Sequence, residues 1–79
     1  QDPLVVSVTG GPGAAVYFED RAIDTAELGG RLEARRTASR QVVIKADEDA
    51  PLALVSAVTE LALERGFNVA LAASRPTPP

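Results

Sequence analysis

The sequence predicts a small α+β domain in which a mixed β-sheet carries two helices on one face, in the order β-β-(β)-α-β-α-β. Three observations indicate this class: short alternating runs rich in β-branched residues, two longer segments with apolar residues at helical spacing, and breaks of glycine, proline or acidic residues between them. A chain of 79 residues has room for one hydrophobic core. We expect residues 1–75 to form that domain and the proline-rich residues 76–79 to be a flexible tail.

The first third of the chain predicts an antiparallel strand pair followed by a brief returning strand. A Gly-Gly-Pro-Gly loop separates the first two strands, and a Glu-Asp pair is predicted to make a tight turn into the third. The predicted strands occupy residues 4–9, 15–18 and 21–23. Alternation along the first strand puts one set of side chains on a face that we expect to be buried. This set consists of Leu4, Val6 and Val8.

A capping box predicts where the first helix begins. The side chain of Asp24 can accept a hydrogen bond from the backbone N–H of Glu27, while the Glu27 side chain can reach back to the N–H of Asp24. The helix is predicted to run to about Arg36, with Leu28 and Leu32 one turn apart on its inner side. An adjacent glycine pair costs this helix about 1 kcal/mol per glycine relative to alanine, so we expect it to be the weaker of the two.

The second half of the chain predicts a strand, a longer helix and a last strand. Residues 41–46 alternate as expected for an interior strand. A proline suits the first turn of a helix at 51–65, and the acidic run at 47–49 puts negative charge, with a possible cap, near the positive end of that helix. Gly66 is placed to end the helix in a left-handed conformation. The last strand is predicted at 67–73.

The connections between these elements predict how the sheet is arranged. A helix of about four turns between two strands favours a parallel pair joined by a crossover. Both helices are expected on the same sheet face, because the side chains of the opposite face are too polar and too small to support a second helical layer. The side chains predicted on this open face are Val5, Ser7, Thr9, Tyr17, Val43, Lys45, Asn68, Ala70 and Ala72.

The two outer strands of an open sheet carry unpaired N–H and C=O groups that can recruit a further strand. The candidates for these edges are the first strand, at 4–9, and the last, at 67–73. A partner segment is predicted to bind either at such an edge, by strand addition, or on the open sheet face. The residues predicted to contact the partner are Leu4, Val5, Val6, Ser7, Val8, Val69 and Leu71.

The residue types that the chain lacks argue against catalysis. There is no histidine and no cysteine, which removes the commonest general base, the commonest metal ligand and the strongest nucleophile. A Ser-Lys pair would require Lys45, the sole lysine, to be desolvated on a face that we predict to be open. The acidic run at 47–49 lacks the alternating ligands and the glycine of a calcium loop. We expect no enzymatic activity, no bound metal and no cofactor.

The charge balance bears on the class of partner. A formal net charge of -3 and a pI near 4.7 argue against nucleic acid as a partner, because phosphate contacts need clustered lysine and arginine. The arginines of residues 31–40 are predicted to lie on a solvated helix face. No apolar run approaches the ~20 residues that a membrane-spanning helix needs.

In their order and spacing, several segments of the chain resemble the periplasmic domain of ExbD/TolR proteins. The most specific of them are Lys45-Ala46-Asp47 and the Gly66-Phe67 strand start about twenty residues later. The resemblance covers nearly the whole chain. One departure is Leu52, where the family often has tyrosine. The segments that carry the resemblance are 4–9, 16–18, 42–47 and 64–71.

The resemblance implies a role in a proton-driven motor complex. This chain would be the periplasmic domain of a single-pass inner-membrane protein that dimerises within a pentameric ExbB/TolQ-like channel. A membrane helix bearing a proton-handling aspartate would precede Gln1, so no carboxylate of this chain inherits that role. The implied partners are a TonB- or TolA-like protein or the peptidoglycan layer. The alternative is a free-standing α/β regulatory or ligand-binding domain with no motor role, and an enzyme comes third.

Overall fold

A computed structural model describes residues 2–74 and confirms the predicted fold class, a small α+β domain with a mixed sheet and two helices. Every element begins and ends within two residues of its predicted limits. The elements are β1 (Leu4–Val8), β2 (Val16–Phe18), β3 (Arg21–Ile23), α1 (Thr25–Ala34), β4 (Gln41–Asp47), α2 (Leu52–Glu64) and β5 (Asn68–Ser74). The predicted tail at 76–79 lies outside the described residues.

The five strands form one sheet in the order β3-β2-β1-β4-β5. The hairpin strands β1, β2 and β3 pair antiparallel, while β4 is parallel both to β1 and to β5. The two parallel pairs are joined through α1 and α2, as the strand-helix-strand pattern predicts. The Glu19-Asp20 turn between β2 and β3 has positive φ at both residues, 53° and 65°.

One prediction about the sheet is wrong, because β1 is its middle strand and not an edge. The hairpin places β2 on one side of β1, and the connection through α1 brings β4 to the other side. The backbone N–H and C=O groups of Leu4–Val8 are therefore used within the sheet. The actual edges are β5, as predicted, and the three-residue strand β3.

The hydrophobic core lies between one face of the sheet and both helices, which confirms that the helices share a face. Central core positions on the sheet are Val6, Val8, Val42 and Ile44, and the helices cover them with Leu28, Leu32, Val58 and Ala62. The helices approach closely where Gly29 is buried under the guanidinium of Arg65. A Cβ atom at Gly29 would lie 2.6 Å from Nη2 of Arg65.

The capping box of α1 is half formed. Oδ1 of Asp24 accepts a hydrogen bond from the backbone N–H of Glu27 at 2.7 Å, as predicted. The Glu27 carboxylate does not reach back to Asp24; it instead pairs with Nη2 of Arg31 at 3.4 Å, one turn later. A cation at i+4 competes with the backbone for that carboxylate. Leu28 and Leu32 are fully buried, as predicted.

The second helix begins without a side-chain cap. Its N-cap residue is Pro51, and no side chain of the preceding acidic run forms a hydrogen bond that caps the helix. Oδ2 of Asp47 accepts a hydrogen bond from the N–H of Gly10 at 3.3 Å, and the Asp49 side chain packs on the same glycine. The predicted cap from these carboxylates is therefore wrong. The predicted end of the helix is confirmed, because Gly66 has φ of 85°.

Substitution by alanine at two glycine positions should have opposite effects on the free energy of unfolding. Gly30 lies inside α1 with open space where a Cβ would be, so Gly30→Ala should raise the free energy of unfolding by about 1 kcal/mol. Gly66 holds a left-handed conformation that disfavours a Cβ, so Gly66→Ala should lower it by about 1 kcal/mol. Urea denaturation of both variants measures the two shifts. A stabilising Gly66→Ala would contradict the left-handed helix end.

Candidate partner-binding site

The outer side of β5 is the longest unpaired backbone in the described part of the chain. Its seven residues pair only with β4, in a register that runs from Gln41 opposite Asn68 to Asp47 opposite Ser74. About half of the N–H and C=O groups of such a strand point away from its neighbour. Protected edges commonly carry lysine, proline or a bulge, whereas residues 68–74 contain no charged residue and no proline. This edge can therefore accept another strand.

Two backbone hydrogen bonds and one buried side chain fix where β5 begins. The N–H of Phe67 donates to the carbonyl oxygen of Ala62 at 3.1 Å, and the left-handed Gly66 turns the chain between them. The Phe67 side chain is buried in the core. The N–H of Asn68 then donates to the carbonyl oxygen of Arg40 at 2.8 Å, just before β4. The edge strand is thus anchored to both α2 and β4 at its start.

The second edge, β3, offers less to a partner. It has three residues, and Arg21 and Ala22 are exposed. The turn that leads into it is tied to α1, because the Glu19 carboxylate forms an ion pair with Arg35. A strand added here would gain few backbone hydrogen bonds.

The arginines near α1 are solvent-facing and paired, as predicted for a solvated helix face. Arg31 and Arg35 pair with glutamates, and Nη1 of Arg36 lies 3.6 Å from Oε2 of Glu33. All three arginine side chains are roughly half exposed. Exposed pairs of this kind contribute about 0–1 kcal/mol each, so they do not define a binding site by themselves.

The sheet face without helices is open in the structure, as predicted. Strand register puts Val5, Ser7, Tyr17, Val43, Lys45, Asn68, Ala70 and Ala72 on it. Val5 and Tyr17 are each 39% exposed. A surface depression of about 560 Å³ lies at one end of this face, lined by Pro3, Leu4, Val5, Ser7, Tyr17, Phe18, Glu19 and Asp20.

The only serine-lysine juxtaposition that strand register gives is Ser7 opposite Lys45. Lys45 is exposed, and no hydrogen bond joins the two side chains in residues 2–74. A lysine acts as a general base when burial disfavours its charge and when its nitrogen reaches the nucleophile. This pair has neither property. Within the same residues, no three His, Cys, Asp or Glu side chains are close enough to hold a metal ion.

The structure separates the predicted contact residues into three groups. Val6 and Val8 are fully buried in the core, so the prediction that they contact a partner is wrong. Leu4, Val5 and Ser7 lie on the interior strand β1, away from any edge. Val69 and Leu71 lie on the edge strand β5, as predicted; Val69 is half-buried and Leu71 is 63% exposed.

The resemblance motif does not form one cluster. Lys45, Ala46 and Asp47 end β4, whereas Gly66 precedes the start of β5, which pairs with the opposite end of β4. Both parts border the strand that carries the free edge.

Sequence reasoning missed the exposed leucines of α2, Leu52 and Leu63, which are 79% and 55% exposed. The signal was present, because both fall outside the apolar stripe that the buried Val58 and Ala62 define at helical spacing.

In the described part of the chain, neither helix is long and apolar enough to cross a bilayer. Compared with models of known protein families and with curated proteins, the chain matches none of them.

Proposed function

We propose that this chain is the periplasmic coupling domain of a proton-driven inner-membrane complex of the ExbB-ExbD or TolQ-TolR type. In this role it binds a segment of a TonB- or TolA-like partner, or the cell wall, and passes on motion that the membrane part generates. Dimerisation belongs to the full-length protein, within the channel. The resemblance over residues 4–71 motivates the proposal, and the observation that carries the binding mode is the unprotected edge of β5.

The edge supports this role physically. A strand added to β5 gains a row of main-chain hydrogen bonds without requiring a deep pocket. Main-chain pairing resists a pulling force along the strand through many bonds at once, which suits a domain that transmits movement. The charge of the chain, -3, also disfavours polyanionic partners, so we exclude nucleic acid from the proposal.

Cross-linking in the full-length protein tests this function. A photoreactive residue at Ala73, on β5, should cross-link to a TonB- or TolA-like protein in intact cells. The matched control is Ala22, an exposed alanine on the other edge strand, β3, which should give little product. Equal products from both positions, or none from Ala73, would contradict binding at β5. Sequence ahead of Gln1 gives an independent test: a ~20-residue apolar stretch with one aspartate is expected there.

The alternative is a ligand-binding or regulatory domain, which the depression beside Tyr17 favours. Its ligand would shift the resonances of Val5 and Tyr17, on the open face, and leave those of β5 unchanged. A soluble domain ahead of Gln1 in place of an apolar stretch would favour this alternative over the motor subunit.

A further inference from the structure

The free edge of β5 is accompanied by exposed apolar side chains on the helix side of the sheet. Val69 and Leu71 face this side, because they lie opposite the buried Val42 and Ile44 in the parallel register. Both partners on β4 are covered by helices. Leu71 is left 63% exposed, because the sheet ends at β5.

One flank of α2 continues this apolar surface. The opposite flank faces α1: Leu54 borders a groove beside α1, and Arg65 covers Gly29. At 100° per residue, Val55 and Thr59 fall on the flank away from α1. Because α2 contacts β4 and the edge strand β5, this flank lies toward the β5 edge. Both are half-buried. The Thr59 hydroxyl donates to the carbonyl oxygen of Val55 at 2.8 Å, so its hydrogen is already used.

We call the surface formed by Val55, Thr59, Val69 and Leu71 the apolar shelf. We propose that the apolar shelf selects which strands add to β5, and that it favours a neutral or basic extended segment with apolar side chains at alternate positions. This inference rests on the proposed function, because it requires strand addition at β5. It names the chemistry of the segment, which main-chain pairing alone does not specify.

The alternation follows from strand geometry. A strand added at the usual spacing of about 4.8 Å points every second side chain toward the apolar shelf and the others toward the open face. Its shelf-facing side chains would pair with Leu71, on a strand whose residues 68–74 include no charged side chain that could compensate a charge. On the open face its neighbours are the small side chains of Ala70 and Ala72, beside which polar side chains keep contact with water.

Charge argues for a partner segment over a second copy of this chain. Each copy carries a net charge of -3. Pairing of two β5 strands would bring two acidic domains close together at this edge. Like charges at such separations repel, whereas a neutral or basic segment avoids the repulsion.

The test is an NMR titration of the 79-residue chain with two capped peptides of equal composition. In one, valine and serine alternate between terminal lysines; in the other, the valines are contiguous. The alternating peptide should shift the amide resonances of β5 and the methyl resonances of Leu71 and Val55. Leu71→Ser should weaken its binding roughly ten-fold. The matched control, Ala70→Ser, introduces serine on the same strand but on the opposite face, and should change binding less than two-fold.

Equal binding of the two peptides, or equal weakening by the two serine variants, would overturn selection by the apolar shelf and leave strand addition intact. If neither peptide shifts any β5 amide, the proposed function fails together with this inference. Self-association of the chain through β5 at the concentration of the titration, with or without peptide, would overturn the argument from charge. Analytical ultracentrifugation of the chain, alone and with peptide, measures this self-association.

Discussion

Leu32→Ala is expected to lower the free energy of unfolding by about 2–5 kcal/mol, the largest effect among the substitutions considered. Leu32 is fully buried in the core beneath the sheet. Removing its three outer carbons loses the transfer free energy of those atoms and leaves a cavity that surrounding side chains only partly fill. A domain of this length has roughly 4–12 kcal/mol of stability in total, so this variant approaches the unfolding threshold at ambient temperature.

The position of Leu32 on α1 strengthens the expectation. Two adjacent glycines lower the intrinsic stability of this ten-residue helix. Its other fully buried side chain is Leu28, and its C-terminal end is tied to the β2–β3 turn by the exposed ion pair of Arg35 with Glu19. Packing of the two leucines is therefore the main force that keeps α1 on the sheet.

Leu52→Ala is the matched control, because it makes the same chemical change on the other helix. Leu52 is the first residue of α2 and is 79% exposed. Leu52→Ala should therefore change the free energy of unfolding of the domain by about 0.5 kcal/mol or less. Urea denaturation followed by circular dichroism compares the two variants at equal m-value. Equal losses would mean that Leu32 is not a core residue.

The faces of the strands were predictable from sequence, whereas the order of the strands was not. Alternation with period two depends on the local backbone alone, so the burial of Val42 and Ile44 follows directly from their spacing. Which strand lies beside β1 depends on where the crossover through α1 returns. Nothing in residues 4–9 specifies that choice, and the edge was therefore assigned wrongly at β1 and correctly at β5.

The same distinction between local and distant contacts explains the side-chain predictions. The hydrogen bond from Glu27 to Asp24 joins neighbours in sequence and was predicted correctly. The contacts of Asp47 and Asp49 with Gly10 span almost half of the chain, and no local pattern indicates them. The same holds for the candidate site. Alternation along the strand predicted its β5 residues, but only the three-dimensional structure shows which flank of α2 lies beside them.

Gly10→Ala should destabilise the domain by about 1–3 kcal/mol, because a Cβ atom at this position has no room. It would overlap the carboxyl group of Asp49 and would lie 2.6 Å from the carbonyl carbon of the same residue. The carboxyl group can rotate away, but the carbonyl carbon belongs to the backbone of the loop that joins β4 to α2. Relief of the overlap therefore requires that loop, or the end of β1, to move.

Such a movement would also strain two hydrogen bonds. The N–H of Gly10 donates to Oδ2 of Asp47 at 3.3 Å, and the neighbouring N–H of Thr9 donates to the carbonyl oxygen of Ala15 at 2.9 Å, closing the β1–β2 loop. The first bond joins the ends of the parallel strands β1 and β4, and the second joins the antiparallel strands β1 and β2. We expect amide hydrogen exchange to accelerate at Thr9 and at Ala50, whose N–H donates to the carbonyl oxygen of Asp47.

Gly13→Ala is the control that separates the overlap with Asp49 from the general effect of replacing a glycine in the same loop. A Cβ at Gly13 meets nothing within 4 Å, so the substitution should change the free energy of unfolding by about 0.5 kcal/mol or less. The comparison uses urea midpoints of the two variants, with hydrogen exchange at Thr9 and Ala50 as the local probe. If Gly10→Ala is as stable as Gly13→Ala, Asp49 does not pack on Gly10, and the two loops at this end of the sheet are independent. A loss confined to Gly10→Ala, with faster exchange at both amides, identifies the Gly10–Asp49 contact as the link that holds the β1–β2 loop against the start of α2.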